Sequence, residues 1–205
     1  MGMSAEMLRG SLDTVARIEP AFARALATFG YPEPRIRPRG YGTLLRTIIG
    51  QQVSVASADA IWRRLEASLG DPADPAAMTA ASDEILRAAG SSRQKMSYAR
   101  SLAELVTSGE LDLANLAEAD EAAIASLVAV RGIGRWSAEI YLLFAEGRRD
   151  IWPAGDLAVQ IELGRLLALP EKPGEQLARE LALPWSPHRG AVAILCWHSY
   201  RTPVL

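Results

Sequence analysis

The sequence predicts an all-α fold. Three observations carry this: alanine and leucine dominate the 205 residues, apolar residues recur at helical spacing, and strands of alternating apolar and polar residues are hard to find. The first helical region ends at the irregular stretch marked by Pro32, Pro34 and Pro38. Ile49, Val53, Ala56 and Ala60 fit one helical stripe, with Ser54 as an N-cap for a helix that ends within residues 70–75. Gly90-Ser91-Ser92 separates two more helices. The tight turn Gly132-Ile133-Gly134 leads into a helix with Ala138, Tyr141, Leu142 and Ala145 on one face. Residues 147–155 read as a loop, 170–173 and 184–187 as further breaks, and roughly 187–200 as the last helix. There is no internal repeat and no low-complexity tract.

Composition narrows the class. With 49% hydrophobic and 22% charged residues the chain lies far from the disordered regime. Its length allows one sizeable core or two intimately packed lobes. One cysteine, Cys196, excludes an internal disulfide, a Cys-rich zinc site and an iron–sulfur cluster. His188 and His198 have no metal-ligand spacing. No apolar run is long enough to span a bilayer, and residues 1–10 lack the apolar core of a signal peptide, so a cytoplasmic location is expected. The net charge of −2 argues mildly against a nucleic-acid partner. The distribution softens this, because Arg35, Arg37, Arg39 and Arg46 fall together, as do Arg93, Lys95 and Arg100, and Arg131 and Arg135 flank the glycine turn.

The glycine turn is the strongest local signal. Its two glycines allow two helices to meet closely, and Ile133 can plug the gap. Backbone N–H groups near Gly134 and Arg135, opening the second helix, form an anion site that suits a DNA phosphate. A plain helical hairpin is the alternative. Asp156, in Pro153-Ala154-Gly155-Asp156, stands where a helix begins. It can be a simple N-cap, or a carboxylate whose negative charge the helix terminus favours.

In combination these parts resemble the helix-hairpin-helix superfamily of DNA glycosylases: a glycine hairpin, a Gly/Pro-rich loop, then an aspartate about twenty residues on. Over roughly residues 41–200, three segments are similar to the 3-methyladenine DNA glycosylase II branch. They are Gly132-Ile133-Gly134-Arg135-Trp136-Ser137-Ala138, Ile48-Ile49-Gly50-Gln51-Gln52-Val53-Ser54, and Arg189-Gly190-Ala191-Val192-Ala193-Ile194-Leu195-Cys196-Trp197. The resemblance implies a two-lobed helical fold with a DNA cleft between lobes 43–131 and 1–42 plus 132–205. It implies Asp156 as the catalytic carboxylate, with Trp136 and Trp197, and more weakly Tyr141 and Tyr41, around an extruded base. Gln52 would fill the gap in the base stack, with Gln51 holding its loop. Ser54, Ser92, Gly132, Gly134, Arg135 and Ser137 complete the expected DNA contacts. Core packing for Trp197, and local backbone ties for the two glutamines, remain alternatives. No cofactor is expected for the chemistry. The carbonyls of Val128, Val130 and Ile133 would hold a structural Na+ or K+ beside the phosphate.

Two departures sharpen the reading. Trp136 stands where strand-cleaving members carry a lysine, and the chain is too short for the N-terminal β-domain of the branch's bacterial enzyme. The expected activity is therefore hydrolysis of the N-glycosidic bond of alkylated purines, 3-methyladenine first and 7-methylguanine second, in double-stranded DNA by a monomer that does not cut the strand. A non-catalytic DNA-binding module, or a glycosylase for oxidised or deaminated bases, is the rival.

Overall fold

Short polar side chains start many of the helices. Ser4, Ser54, Ser82, Ser92 and Asp156 each accept a hydrogen bond from the backbone N–H three residues on, which satisfies a donor that the first helical turn leaves unpaired. The computed structural model describes residues 2–201. Among these, twelve α-helices occur and no strand. In chain order they are α1 (Ala5–Ile18), α2 (Pro20–Phe29), α3 (Tyr41–Gly50), α4 (Val55–Leu69), α5 (Pro75–Ala80), α6 (Asp83–Ala88), α7 (Arg93–Thr107), α8 (Asp120–Val128), α9 (Arg135–Tyr141), α10 (Leu157–Leu166), α11 (Glu175–Leu181) and α12 (Arg189–Arg201). A π turn at Leu142–Glu146 follows α9, and a 3-10 turn at Leu183–Trp185 precedes α12.

The chain divides into two units. Unit 2 is the continuous segment Pro38–Tyr141. Its central lobe thus includes the glycine hairpin and α9, ten residues beyond the limit of 131 read from the sequence. Leu44, Leu45 and Ile48 of α3, Leu65 of α4, Leu102 of α7, Leu127 of α8 and Ile133 of the hairpin are buried in this unit. Burying each such side chain contributes about 1.5–3 kcal/mol. The stripe expected through Ile49, Val53, Ala56 and Ala60 is not one face. Ile49 is buried in α3, but Val53 and Ala56 are exposed. The chain turns between α3 and α4, so helical periodicity is not carried across residues 51–54.

Unit 1 runs up to Arg37 and resumes at Leu142. Helix α12 packs against α10, α1 and α2, and residues 190–197 are all buried. Burial on all sides explains the apolar run around Cys196. Phe22 and Trp152 both meet Trp185 edge-on, with centroid separations of 4.9 and 5.9 Å. Both histidines are structural: His188 Nδ1 lies 3.1 Å from Ser11 Oγ, and His198 Nε2 lies 2.9 Å from the Phe29 carbonyl. No helix among the described residues is long and apolar enough to cross a membrane.

Candidate active site

Asp156 is fixed from three sides within unit 1. Its Oδ1 accepts the Val159 backbone N–H at 2.9 Å, which makes it the N-cap of α10. The same oxygen accepts the indole N–H of Trp197, on α12, at 3.1 Å. Its backbone N–H bonds the Pro153 carbonyl at 2.9 Å. The approach to the carboxylate is braced as well. Gln160 Nε2 donates to the Ala154 carbonyl at 2.7 Å, and Lys172 Nζ donates to Gln160 Oε1 at 2.8 Å. Trp152 Nε1 donates to the Ala178 carbonyl at 3.0 Å. These neighbours hold the carboxylate in one position.

Trp197 is 8% exposed and packs against Phe144 of the π turn, ring centroids 5.6 Å apart. Arg35 lies over the Trp197 ring at 5.8 Å and Arg37 over Phe144 at 6.0 Å. The start of α12 is held by Asp150, whose carboxylate takes two 2.8 Å bonds from Arg189 and one of 2.7 Å from Ser186. Burial alone would raise the Asp150 carboxyl, but these hydrogen bonds and the Arg189 charge outweigh it and hold the group below the usual carboxylate range. Gly190 sits where a Cβ would come within 2.8 Å of the Arg149 carbonyl, so this approach requires glycine. Burial pushes the Cys196 thiol well up, which makes it inert.

Unit 2 gathers a second group. Gln51, Gln52, Ser92 and Gly132 line one surface cavity of about 360 Å³, with Lys95 and Tyr98. Gln51 Nε2 donates to the Gly132 carbonyl at 2.7 Å and so ties this loop to the hairpin. Lys95 Nζ donates to the Ile49 carbonyl at 2.6 Å from the other side. Gln52 is exposed at the loop tip with φ of +56°, a left-handed conformation rare for a residue with a side chain. Ser54 and Ser92 cap α4 and α7. In the hairpin, Gly132 has φ of +82°, and a Cβ there would lie 2.1 Å from the Tyr98 ring. At Gly134 a Cβ would meet nothing within 4 Å.

The remaining expected residues divide by exposure. Trp136, in the first turn of α9, is 49% exposed, and Ser137 beside it is half-buried. Arg135 is bound by Glu121, at 2.9 Å from Nη1, and by the buried Glu139, at 2.9 Å from Nε. Its guanidinium thus braces α9 against the start of α8. Tyr141 is buried, and its hydroxyl accepts the Gly40 N–H at 2.8 Å. Tyr41 is also buried, and its hydroxyl has no hydrogen-bond partner. Burial pushes that phenol up.

Residues 45–187 match the model of HhH-GPD superfamily base excision DNA repair proteins. The chain belongs to this superfamily. DNA is therefore its macromolecular partner. The chain is 31% identical over 169 residues to DNA-3-methyladenine glycosylase 1 of Schizosaccharomyces pombe, covering 80% of this chain and 73% of that one. Its fold is similar to that of a DNA-3-methyladenine glycosidase from Bacillus halodurans, with TM-score 0.87, 30% identity, and coverage of 94% of this chain and 89% of that one. It is also similar to the S. pombe 3-methyladenine DNA glycosylase in complex with abasic DNA, with TM-score 0.79, 27% identity, and coverage of 94% and 97%.

In this HhH-GPD chain the sequence reading missed the supporting residues. The Trp197–Asp156 bond joins positions 41 residues apart, and Gln160 carried no signal beyond a polar residue in an apolar helix. A buried polar side chain four residues after a candidate carboxylate was the one available cue.

Proposed function

We propose that this chain is a monofunctional DNA glycosylase that releases alkylated purines, 3-methyladenine first and 7-methylguanine second, and leaves an abasic site. The observation that carries this is Asp156, a carboxylate held by α10 and by Trp197 in a superfamily whose members repair bases. The target nucleotide must first leave the duplex. N-alkylation makes the purine cationic, so it departs with the electron pair of the glycosidic bond and needs no strong acid. Positive charge then develops on the sugar, and the fixed Asp156 carboxylate stabilises it. Water adds to C1′ and gives up its proton, which Asp156 is placed to help remove.

The other assignments rest on this frame. Trp136, exposed near the hairpin, offers a π face to a cationic base, a contact worth about 0.5–2 kcal/mol. It also stands where a lysine nucleophile would be needed for strand cleavage. Gln52 fills the vacated place in the stack, supported by its exposed position on a loop pinned through Gln51. The hairpin N–H groups at Gly134 and Arg135 receive a backbone phosphate. A Na+ or K+ ion would sit on the carbonyls of Val128, Val130 and Ile133. Val128 is the last residue of α8, where helix carbonyls lack intrahelical partners, and Val130 and Ile133 follow it in the hairpin, the Val130 carbonyl also accepting the Ile133 N–H at 3.0 Å. The protein would act as a cytoplasmic monomer.

The test is Asp156→Asn, assayed on methylated duplex DNA for released bases and alkali-labile sites. Asparagine caps a helix as well as aspartate does. The melting temperature should therefore hold while excision falls at least about 100-fold. Full activity in the variant would remove Asp156 from the mechanism. DNA binding without base release by the wild type would mark a binding module, and release from oxidised or deaminated DNA alone would move the substrate class.

A further inference from the structure

Three arginines of unit 1, Arg35, Arg37 and Arg201, lie near one another, and Arg35 stacks on the tryptophan that reaches the candidate catalytic carboxylate. Arg35 lies over Trp197, Arg37 lies over Phe144, and these two rings pack against each other at 5.6 Å. Trp197 is the residue whose indole N–H reaches Asp156, so Arg35 is one ring away from the carboxylate. The backbone keeps the pair in place, since the Arg37 N–H bonds the Phe144 carbonyl at 2.9 Å. Among the ion pairs of the described residues none involves Arg35, Arg37 or the nearby Arg201. The contacts of the first two are instead with aromatic faces, Arg35 on Trp197 and Arg37 on Phe144. Partial burial and the charges of Arg201 and Arg37 all disfavour the Arg35 cation. A guanidinium does not deprotonate in response, so the cluster is a standing repulsion that an anion would relieve.

We propose that Arg35 and Arg37 clamp the backbone phosphates that flank the extruded nucleotide on the lesion-bearing strand. This rests on the glycosylase reading. A nucleotide whose C1′ lies against Asp156 carries its own 5′ and 3′ phosphates a few bonds away, and these are the anions that necessarily arrive with the substrate. The clamp also resolves an electrostatic conflict. Unpaired guanidinium groups beside a sugar that becomes cationic would oppose the reaction, whereas the same groups paired with phosphates position the sugar without opposing it. The clamp residues belong to unit 1, whereas those of the proposed hairpin phosphate site belong to unit 2.

The experiment measures binding to a duplex with a tetrahydrofuran abasic-site analogue across a salt series. Wild type is compared with the double variant Arg35→Gln and Arg37→Gln, and excision of methylated DNA is followed in parallel. Losing two phosphate contacts should flatten the slope of log K against log salt by about 1.8. Replacing the linkages on either side of the analogue with neutral methylphosphonates should weaken wild-type binding about tenfold and leave the double variant nearly unaffected. The methylphosphonate measurement needs only the wild-type protein, so a misfolded variant would not obscure the answer. If the wild type excises bases but neither the substitutions nor the neutral linkages change the salt slope, the clamp is wrong and the glycosylase reading stands. If the wild type neither binds nor releases bases, the glycosylase reading falls and the clamp falls with it.

Discussion

At the scale of single residues, the contact between Trp197 and Asp156 separates two roles for one aromatic side chain. A tryptophan in an apolar helix can be core, and Trp197 is nearly buried. Its N–H, however, is committed to the carboxylate oxygen that also caps α10. Trp197→Phe keeps most of the ring and removes the donor. A lost hydrogen bond to a charged acceptor corresponds to about 1.5–3 kcal/mol, and much of this should fall on the reaction. We expect kcat to drop about tenfold or more with KM little changed, and melting to shift by only a few degrees. Single-turnover kinetics beside thermal melts read both effects. A drop in stability with unchanged kcat would make Trp197 purely structural. Asp156 by itself reads as a helix cap, and only its place about twenty residues beyond the glycine hairpin marks it as a candidate. Residue identity could not mark the donor, because tertiary packing of α12 on α10 is what delivers it.

At the scale of elements, the hairpin was legible in the sequence because its causes are local. Two glycines, the apolar Leu127 and Ile133, and the start of α9 all fall within eleven residues. The two glycines nevertheless do different work. Gly132 combines a left-handed φ with direct contact against Tyr98, whereas Gly134 has neither constraint. Gly132→Ala should therefore destabilise the protein by at least about 2 kcal/mol, from backbone strain and overpacking together. Gly134→Ala should leave stability within about 0.5 kcal/mol. Denaturant titration of both variants checks this, and equal losses would show that the hairpin constrains both positions alike. The α3–α4 connection illustrates the opposite case. Four residues of matching apolar spacing suggested a continuous face, yet the bend at 51–54 interrupts it. Spacing reports a helix only while the chain stays helical, and the left-handed Gln52 is a local feature that no periodicity encodes.

At the scale of the whole molecule, chain order and spatial order differ. The all-helical class was legible from composition and periodicity, but the division into units depends on which distant helices share a core. Unit 1 joins α1 and α2 to α10 and α12 across more than a hundred intervening residues. Unit 2 is one continuous stretch that contains the hairpin, the glutamine loop and its own buried core, but not Asp156. On the proposed assignments, the hairpin and the glutamine loop lie on one continuous stretch that does not carry the candidate carboxylate. The fragment 38–141 should therefore fold alone, with a helical circular-dichroism spectrum and a cooperative thermal transition. It should bind duplex DNA weakly and in a salt-sensitive way, with Kd on the order of 10⁻⁴–10⁻⁶ M as expected for contacts to phosphates. It should release no base from methylated DNA. Mixing it with full-length Asp156→Asn protein should restore nothing, since neither chain then supplies the carboxylate. A fragment that stays unfolded would show that unit 2 borrows stability from unit 1. A folded fragment that ignores DNA would mean that the hairpin and glutamine loop do not suffice as a binding surface, and that the DNA contacts lie mainly with unit 1.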